Sequence, residues 1–570
     1  MKKINSIYKI PCKSLIISLI MIPLMWSCDY LDYSEQDFYQ QDDIFYYQGR
    51  VQNILNNIYS YLPKDFNSVD GAIRSSATDD AVHVWDMSDI QKFNDGSWNS
   101  TMVLDDVWDR MYAGIRTANV FLKEAPDLTF PDTKYNQGYE DGMKAYRVYP
   151  YEARFLRAFF YFELIKRYKN VPLITDLIND TKEANNVAPV PFDEIVQFIV
   201  DECNACAANL PVTFSTFISG QTGRATKGAA LALKARTLLY AASPLHNTGN
   251  DQAKWIEAAT AAKHLIDTLG VNYMPLAAYT TVVNNLSSKE LIFETRQADD
   301  RSFEERNTAI GFEGGNTGTC PTQNLVDAYE MKATGLGIDK TGSGYDPATP
   351  YATSGAAARD PRLAMTILFN GAIWKTQSVQ TYYGGLNAPP TPYATKTGYY
   401  LKKYMVESIS LSPTNPGVGR HVWVIFRYAE ILLNYAEAMN EAYGPEVAGP
   451  GALANMTALQ AVNIVRARTG VAMPAFPAGM SQAAFRTKLM NERRVELAFE
   501  DHRFWDLRRW KTGNQATVIT GVDISRDESN NLTFVPKVVE TRIWDDRMNL
   551  YPIPQSEYFI NNKLGQNPGW

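Results

Sequence analysis

The densest chemistry in the chain is Glu492, Glu496, Glu500, Asp501 and His502. On a helix the three glutamates fall at i, i+4 and i+8, on one face. Two such carboxylates could act as the acid and base of a glycoside hydrolase, or bind a metal together with His502. Arg493, Arg494, Arg503, Arg508 and Arg509 are interleaved with them. That alternation reads first as a buried or half-buried ion-pair network ordering a helix junction. None of the five histidines has His-x-x-x-His or His-Glu-x-x-His spacing, so no zincin site is expected. Gly449, Gly451 and Ala454 spell a degenerate dinucleotide fingerprint, but it follows a helix pattern rather than a strand. Cys203 and Cys206 form a Cys-x-x-Cys in line with Ile195, Ile199 and Leu210 at helical spacing. A redox role needs a βα context and a zinc role needs a second pair, so both are expected as small core residues. No catalysis, cofactor or metal is expected.

Aromatic residues give the better binding signal. The stretch DDAVHVWDMSDIQKFNDGSWNSTM places Trp85 and Trp98 in a polar segment without helix periodicity. An exposed indole can stack on the C–H face of a pyranose, while neighbouring polar groups bond its hydroxyls. Trp85 and Trp98 are the expected platforms, followed by Trp374 and Tyr382-Tyr383. His83, Asp95, Asn99 and Arg301 are the expected polar neighbours. The alternative is that either Trp85 or Trp98 plugs the adjoining helix pair. Two platforms, less ordering costs, suggest dissociation constants of roughly mM to µM.

The elements that must position these groups are mostly helices. VLDDVWDRMYAGIRTANVFLKEAP, PYEARFLRAFFYFELIKRY, ATKGAALALKARTLLYAASP and WIEAATAAKHLIDTLG are amphipathic or Ala-rich helix patterns. Pairing of large aromatics with small residues suits helix hairpins of the tetratricopeptide type, although no strict repeat of about 34 residues is found. From about residue 296 to 425, Gly, Thr, Asn, Pro and Tyr accumulate around short strand-like runs. A stretch so rich in tyrosine is expected to present binding loops rather than act as a linker. Helices return after residue 426. The expected fold is mainly α: a tetratricopeptide-like scaffold decorated by loop-rich segments with a few short strands.

The chain has 570 residues and a net charge of -7. Its four lysines before residue 28, with no acid among them, leave the remainder at -11. That balance argues against nucleic acid as a partner. Residues 15–26 are apolar except for one serine and precede Ser27-Cys28, the layout of a secretory signal over residues 1–27. Twelve residues would rise about 18 Å as a helix, too short for a bilayer core of about 30 Å. The leader resembles that of a bacterial lipoprotein, in which acylation of the new terminal cysteine, here Cys28, anchors the chain. The alternative is plain secretion. Three cysteines then remain, Cys203, Cys206 and Cys320, which cannot all pair internally.

Ordered blocks along the chain resemble the SusD/RagB family of outer-membrane nutrient-binding lipoproteins. They are Cys28-Asp29-Tyr30-Leu31-Asp32, Asp360-Pro361-Arg362-Leu363, Thr397-Gly398-Tyr399 and Arg427-Tyr428-Ala429-Glu430 through Glu437-Ala438. Asn463 with Val465-Arg466-Ala467-Arg468, and Asn491-Glu492-Arg493-Arg494 with Glu496-Leu497, follow. Arg503 with Trp505-Asp506-Leu507-Arg508-Arg509-Trp510, then Tyr551-Pro552-Ile553-Pro554 and Gln566-Asn567-Pro568-Gly569, complete the set. The resemblance implies four tetratricopeptide-like helix pairs and a SusC-like, TonB-dependent transporter as partner. It also implies oligosaccharide or sometimes peptide cargo, with no catalysis at the Glu492–Arg509 blocks. It divides the chain into an N-terminal part, 28–290, and a C-terminal part, 291–570, packed as one globule. The resulting expectation is a lipid-anchored cell-surface glycan-binding protein of the outer membrane. The rival expectations are an exported glycoside hydrolase using Glu492 and Glu496, or a binder of peptides or glycopeptides.

Overall fold

The computed structural model describes residues 41–570 apart from 126, 219, 220 and 275. The signal segment and Cys28 lie outside the described residues. The main helices are α1 (Gln48–Ser60), α2 (Trp108–Glu124), α3 (Tyr149–Tyr168), α4 (Phe192–Asn209), α5 (Lys227–Ala242) and α6 (Gln252–Tyr273). They continue with α7 (Tyr428–Tyr443), α8 (Ala458–Arg466), α9 (Gln482–Glu496), α10 (His502–Arg509) and the short α11 (Gln555–Ile560). From α2 to α8 they stack: α2 packs on α3, α3 on α4, α4 on α5, α5 on α6, α6 on α7 and α7 on α8. The protein is mainly helical, as expected.

Local chemistry sets the helix ends. Thr226 and Asp251 accept backbone N–H bonds at the starts of α5 and α6, and Ser481 does so for α9. Thr457 and Gln460 form a reciprocal capping box on α8. Ala-rich α5 is buried almost all round, because it lies between α4 and α6. Gly114 lets α2 approach α3: a Cβ there would sit 2.6 Å from the Phe160 ring. Cys203 and Cys206 are buried free thiols on α4, and Cys206 Sγ donates to the Tyr151 carbonyl at 3.1 Å. Burial pushes both thiols up, so they are inert core residues.

The strands are short and antiparallel. β1 (Ala81–His83) pairs with β3 (Thr319–Pro321), placing His83 opposite Thr319. β2 (Leu291–Arg296) pairs with β4 (Val422–Arg427), which runs directly into α7. β5 (Val518–Arg526) and β6 (Leu532–Thr541) form a long hairpin. One core unites early and late segments: Phe159 of α3 meets Phe426 edge-on at 6.2 Å, and Arg236 of α5 donates to Glu430 of α7 at 2.7 Å.

The charged cluster sits at the junction of α9, β4 and the loops. Arg362, Arg427, Arg466, Arg468 and Lys403 face Asp360, Glu290, Glu492, Glu496 and Glu500, each side chain 3% exposed or less. Five charges of each sign balance, which is the condition for leaving water. Arg362 bridges three acids, reaching Asp360 at 2.7 Å, Glu492 at 2.7 Å and Glu496 at 2.8 Å.

Candidate functional site

Two sets of residues compete for the role of functional site: the carboxylates of α9 and the aromatics of the loops. Burial pushes the Glu496 carboxyl up, but Arg468, Arg427 and Arg362 more than offset this and hold it down at about 2. Glu492 is also held below the usual range, by Arg362 and Arg466 against its burial. A general acid must carry a proton near neutral pH, and neither group does. His502 is buried against Arg493, its Nδ1 3.2 Å from that guanidinium. Burial and the surrounding arginines push it well down, so it stays neutral. Among the described residues no group of three or more His, Cys, Asp or Glu side chains could hold a metal ion. Glu492 and Glu496 therefore belong to an ion-pair junction, in which neither carboxyl holds the proton that the hydrolase reading requires.

The aromatic candidates divide. Trp85 follows β1 and is half-buried. Its ring stacks on Tyr393 with centroids 4.4 Å apart and planes 22° from parallel. Tyr393 is 56% exposed and adopts a left-handed backbone, φ 60°, on the Pro-rich loop 380–398. The two segments are joined one residue on: Lys396 Nζ donates to the Asp86 carboxylate. Met87 projects beside them, 94% exposed. The loop is braced from below, because Val522 N–H donates to Thr397 O at 2.9 Å and Tyr383 N–H to Ile524 O at 2.8 Å. The β5–β6 hairpin thus supports both ends of the loop.

Tyr383 is 70% exposed on this loop. Tyr382 is half-buried, with the Arg526 guanidinium 4.1 Å from its ring centroid and its hydroxyl donating to Gln380 at 3.0 Å. Both are presented by the same loop as Tyr393.

Two expected platforms are corrected. Trp98 is 1% exposed, packed edge-on against Phe93, Tyr551 and Trp570 at 4.9, 5.1 and 4.5 Å. It is the plug, and a ligand has no access to its face. Trp374 is 3% exposed in a small cluster with Phe312, Leu368, Val379 and Tyr400.

The polar neighbours also lie apart. Asp95 and Asn99 are exposed but turned inward on their own loop. Asp95 accepts from Ser97 N at 2.8 Å, and Asn99 accepts from Thr101 N at 2.9 Å. Arg301 pairs with Glu305 at 2.7 Å, one turn along its own short helix. His83 is buried in β1, its Nδ1 without a hydrogen bond. Burial, with Lys396 and Arg306, pushes it down to about 4, so it is neutral near pH 7. It therefore offers a ligand no charge.

Tyr393, Lys396, Arg526 and Met87 were not among the sequence candidates. The signal for Tyr393 was the run PPTPYATKTGYY, where a tyrosine just after three prolines has little helix or strand in which to bury itself.

Comparison with known proteins places this architecture. The model of the SusD family matches residues 289–570. The model described as starch-binding associating with outer membrane matches residues 29–239. The chain belongs to the SusD family. SusD-like protein P2 of Formosa agariphila is 25% identical over 484 residues, covering 81% of this chain and 80% of its own. A SusD-like protein from Bacteroides fragilis shares the fold with a TM-score of 0.74 and 27% identity, covering 93% of this chain and 99% of its own. A SusD-like carbohydrate binding protein from the same species gives a TM-score of 0.70 at 27% identity, covering 92% and 100%. The two solved structures cover more than nine-tenths of this chain.

Proposed function

We propose that this chain is a cell-surface glycan-binding lipoprotein of the outer membrane. It captures oligosaccharide on the Trp85–Tyr393 face and passes it to a SusC-like, TonB-dependent transporter. The observation that carries the reading is the stacked pair of half-buried Trp85 and exposed Tyr393. It offers a flat apolar surface with hydroxyl-bonding groups around it, in a family with a carbohydrate-binding relative. Tyr383 extends the face along the loop, and Arg526, at the end of β5, lies over the Tyr382 ring. No bond is broken: the ligand is held and released, which a weak, mostly aromatic contact favours.

The anchor is Cys28, acylated after removal of residues 1–27; several acyl chains on one residue hold a protein durably at a membrane. No helix among the described residues is long and apolar enough to cross a membrane. The N-terminal part, 28–290, and the C-terminal part, 291–570, act as one body, so that the loops of the second stand over β1 of the first.

Affinity electrophoresis of the full chain against a panel of starch, plant and host polysaccharides tests the reading, with Trp85→Ala and Tyr393→Ala alongside. Retardation by one or more glycans, lost in both variants with unchanged circular dichroism, supports class and site together. Binding that survives both changes moves the site, and binding to a peptide library but to no glycan changes the cargo. Uptake assays with and without this chain test delivery: a transporter-only strain that imports equally well would sink that step.

A further inference from the structure

A second surface stands apart from the Trp85–Tyr393 face. A cavity of about 280 Å³ opens between α2, the segment 172–185 and α11. Trp108 and Ile115, both buried, form its floor, and the half-exposed Ile174 and Leu177 its side. Its rim continues outward onto α11, where Tyr558, Phe559 and Ile560 are 39%, 74% and 52% exposed. Exposed apolar side chains flanking a pocket, with Ile560 in its lining, are the layout of an interface anchor site.

The rim is acidic. Asp109, Asp176 and Glu557 line the cavity, and Arg116 is the one basic side chain among the lining residues. Arg116 Nη1 is engaged with the backbone, donating to Ile178 O at 2.8 Å. Burial, with the negative charges of Asp109 and Asp106, pushes the Glu557 carboxyl up, against a hydrogen bond from Trp108. The free chain thus leaves this carboxylate short of a counter-charge.

We propose that this cavity and the Tyr558–Ile560 flank dock a protein partner that inserts a lysine or arginine side chain next to an apolar one. The charge of the rim selects that occupant. An anionic membrane surface would be repelled by the three carboxylates. A neutral sugar would leave Glu557 uncompensated. A cation on an apolar stem satisfies the carboxylates while its stem and its apolar neighbour cover Trp108, Leu177 and Phe559.

The test uses the full chain and the capped peptide acetyl-Leu-Arg-Leu-amide, with its citrulline and glutamate analogues, by isothermal titration calorimetry. The expected result is saturable binding of the arginine peptide with a dissociation constant of about 0.1–1 mM. Citrulline in place of arginine is expected to weaken it about tenfold, the glutamate peptide not to bind, and Glu557→Gln to cost about fivefold. Phe559→Ser, at an exposed position where folding is not at stake, is expected to cost about threefold. Equal affinity for the arginine and citrulline peptides overturns the proposal. So does the absence of saturable binding up to about 10 mM, or binding that both variants leave unchanged. Self-association of the full chain that Phe559→Ser abolishes would make the occupant a second copy, and would also overturn it.

Discussion

The charged junction around Glu496 and the aromatic face around Trp85 are both built from residue types that enzymes and receptors use. At the junction every charge is buried and met by an opposite one, so that Arg427 serves Glu290, Glu496 and Glu500 at once. At the face, Tyr393 and Tyr383 stand in water, and only Trp85 is partly covered. A site able to bind something else must retain unspent contacts, and the junction has spent its own on itself. The same contrast separates Trp85 from Trp98, which share one polar segment. Trp98 has ring partners on several sides, while Trp85 has Tyr393.

Four measurements would break or sharpen this contrast. The largest effect is expected at the junction. Arg427→Met leaves three buried carboxylates short of a partner and should lower stability by about 3–5 kcal/mol, read as a large fall in thermal midpoint or loss of soluble protein. A midpoint within a few degrees of the parent would show that the network is not structural.

Next, Trp98→Ala should open a core cavity at a cost of about 3–5 kcal/mol, while the folded fraction keeps its glycan affinity. Trp85→Ala should show the reverse: stability lowered by about 1 kcal/mol or less and affinity reduced at least about tenfold. Calorimetric unfolding and glycan titration on both variants decide it. A Trp98 variant that is fully stable yet unable to bind glycan would invert the assignment.

A third effect follows from protonation. The folded chain holds His83 at about 4 and His246 at about 3, below the ordinary value for histidine. Between there and about pH 6.5 the unfolded chain binds more protons, so stability falls as pH drops through that window. Glu496, held at about 2, adds a second loss as pH falls from about 4.3 toward 2. Asp65, which burial holds up at about 7, works the other way and favours the folded chain as pH falls toward about 4, so urea midpoints should decline most clearly below that pH. A midpoint that does not fall between about pH 4 and 3 would mean that the His246 and Glu496 shifts are absent from the folded chain.

The smallest effect is expected from Asp95→Ala and Asn99→Ala, within about 0.5 kcal/mol in stability and without loss of glycan binding. A binding loss at either position would return that loop to the site.

The helices were legible because their packing faces recur at helical spacing within one segment, as in α2 and α4. The junction was legible only as a charge-rich stretch. The glutamates of residues 492–500 are met by Arg362, Arg427, Arg466, Arg468 and Lys403, and most of the interleaved arginines by Asp79, Asp80, Glu437 and Asp506, pairings that local sequence does not announce. The site was legible in part. Trp85 and the Tyr382-Tyr383 loop could be picked out by local composition. Trp98 could not be judged locally, because Tyr551 and Trp570, which bury it, lie near the other end of the sequence. Trp374 was misread for the same reason: Phe312 and Tyr400 enclose it from separate loops. Tyr393 was passed over because a stacking partner for Trp85 is a property of two segments brought together, which neither one announces.

The burial of Trp98 by Tyr551 also bears on the order in which the molecule can assemble. A chain emerging vectorially from its N-terminus exposes the Trp98 indole long before the segment that covers it exists. Contacts of such long sequence separation slow folding and leave apolar surface open to aggregation. A chain halted before Tyr551 should therefore complete much of the α2–α6 stack and still bind a holdase chaperone through Trp98.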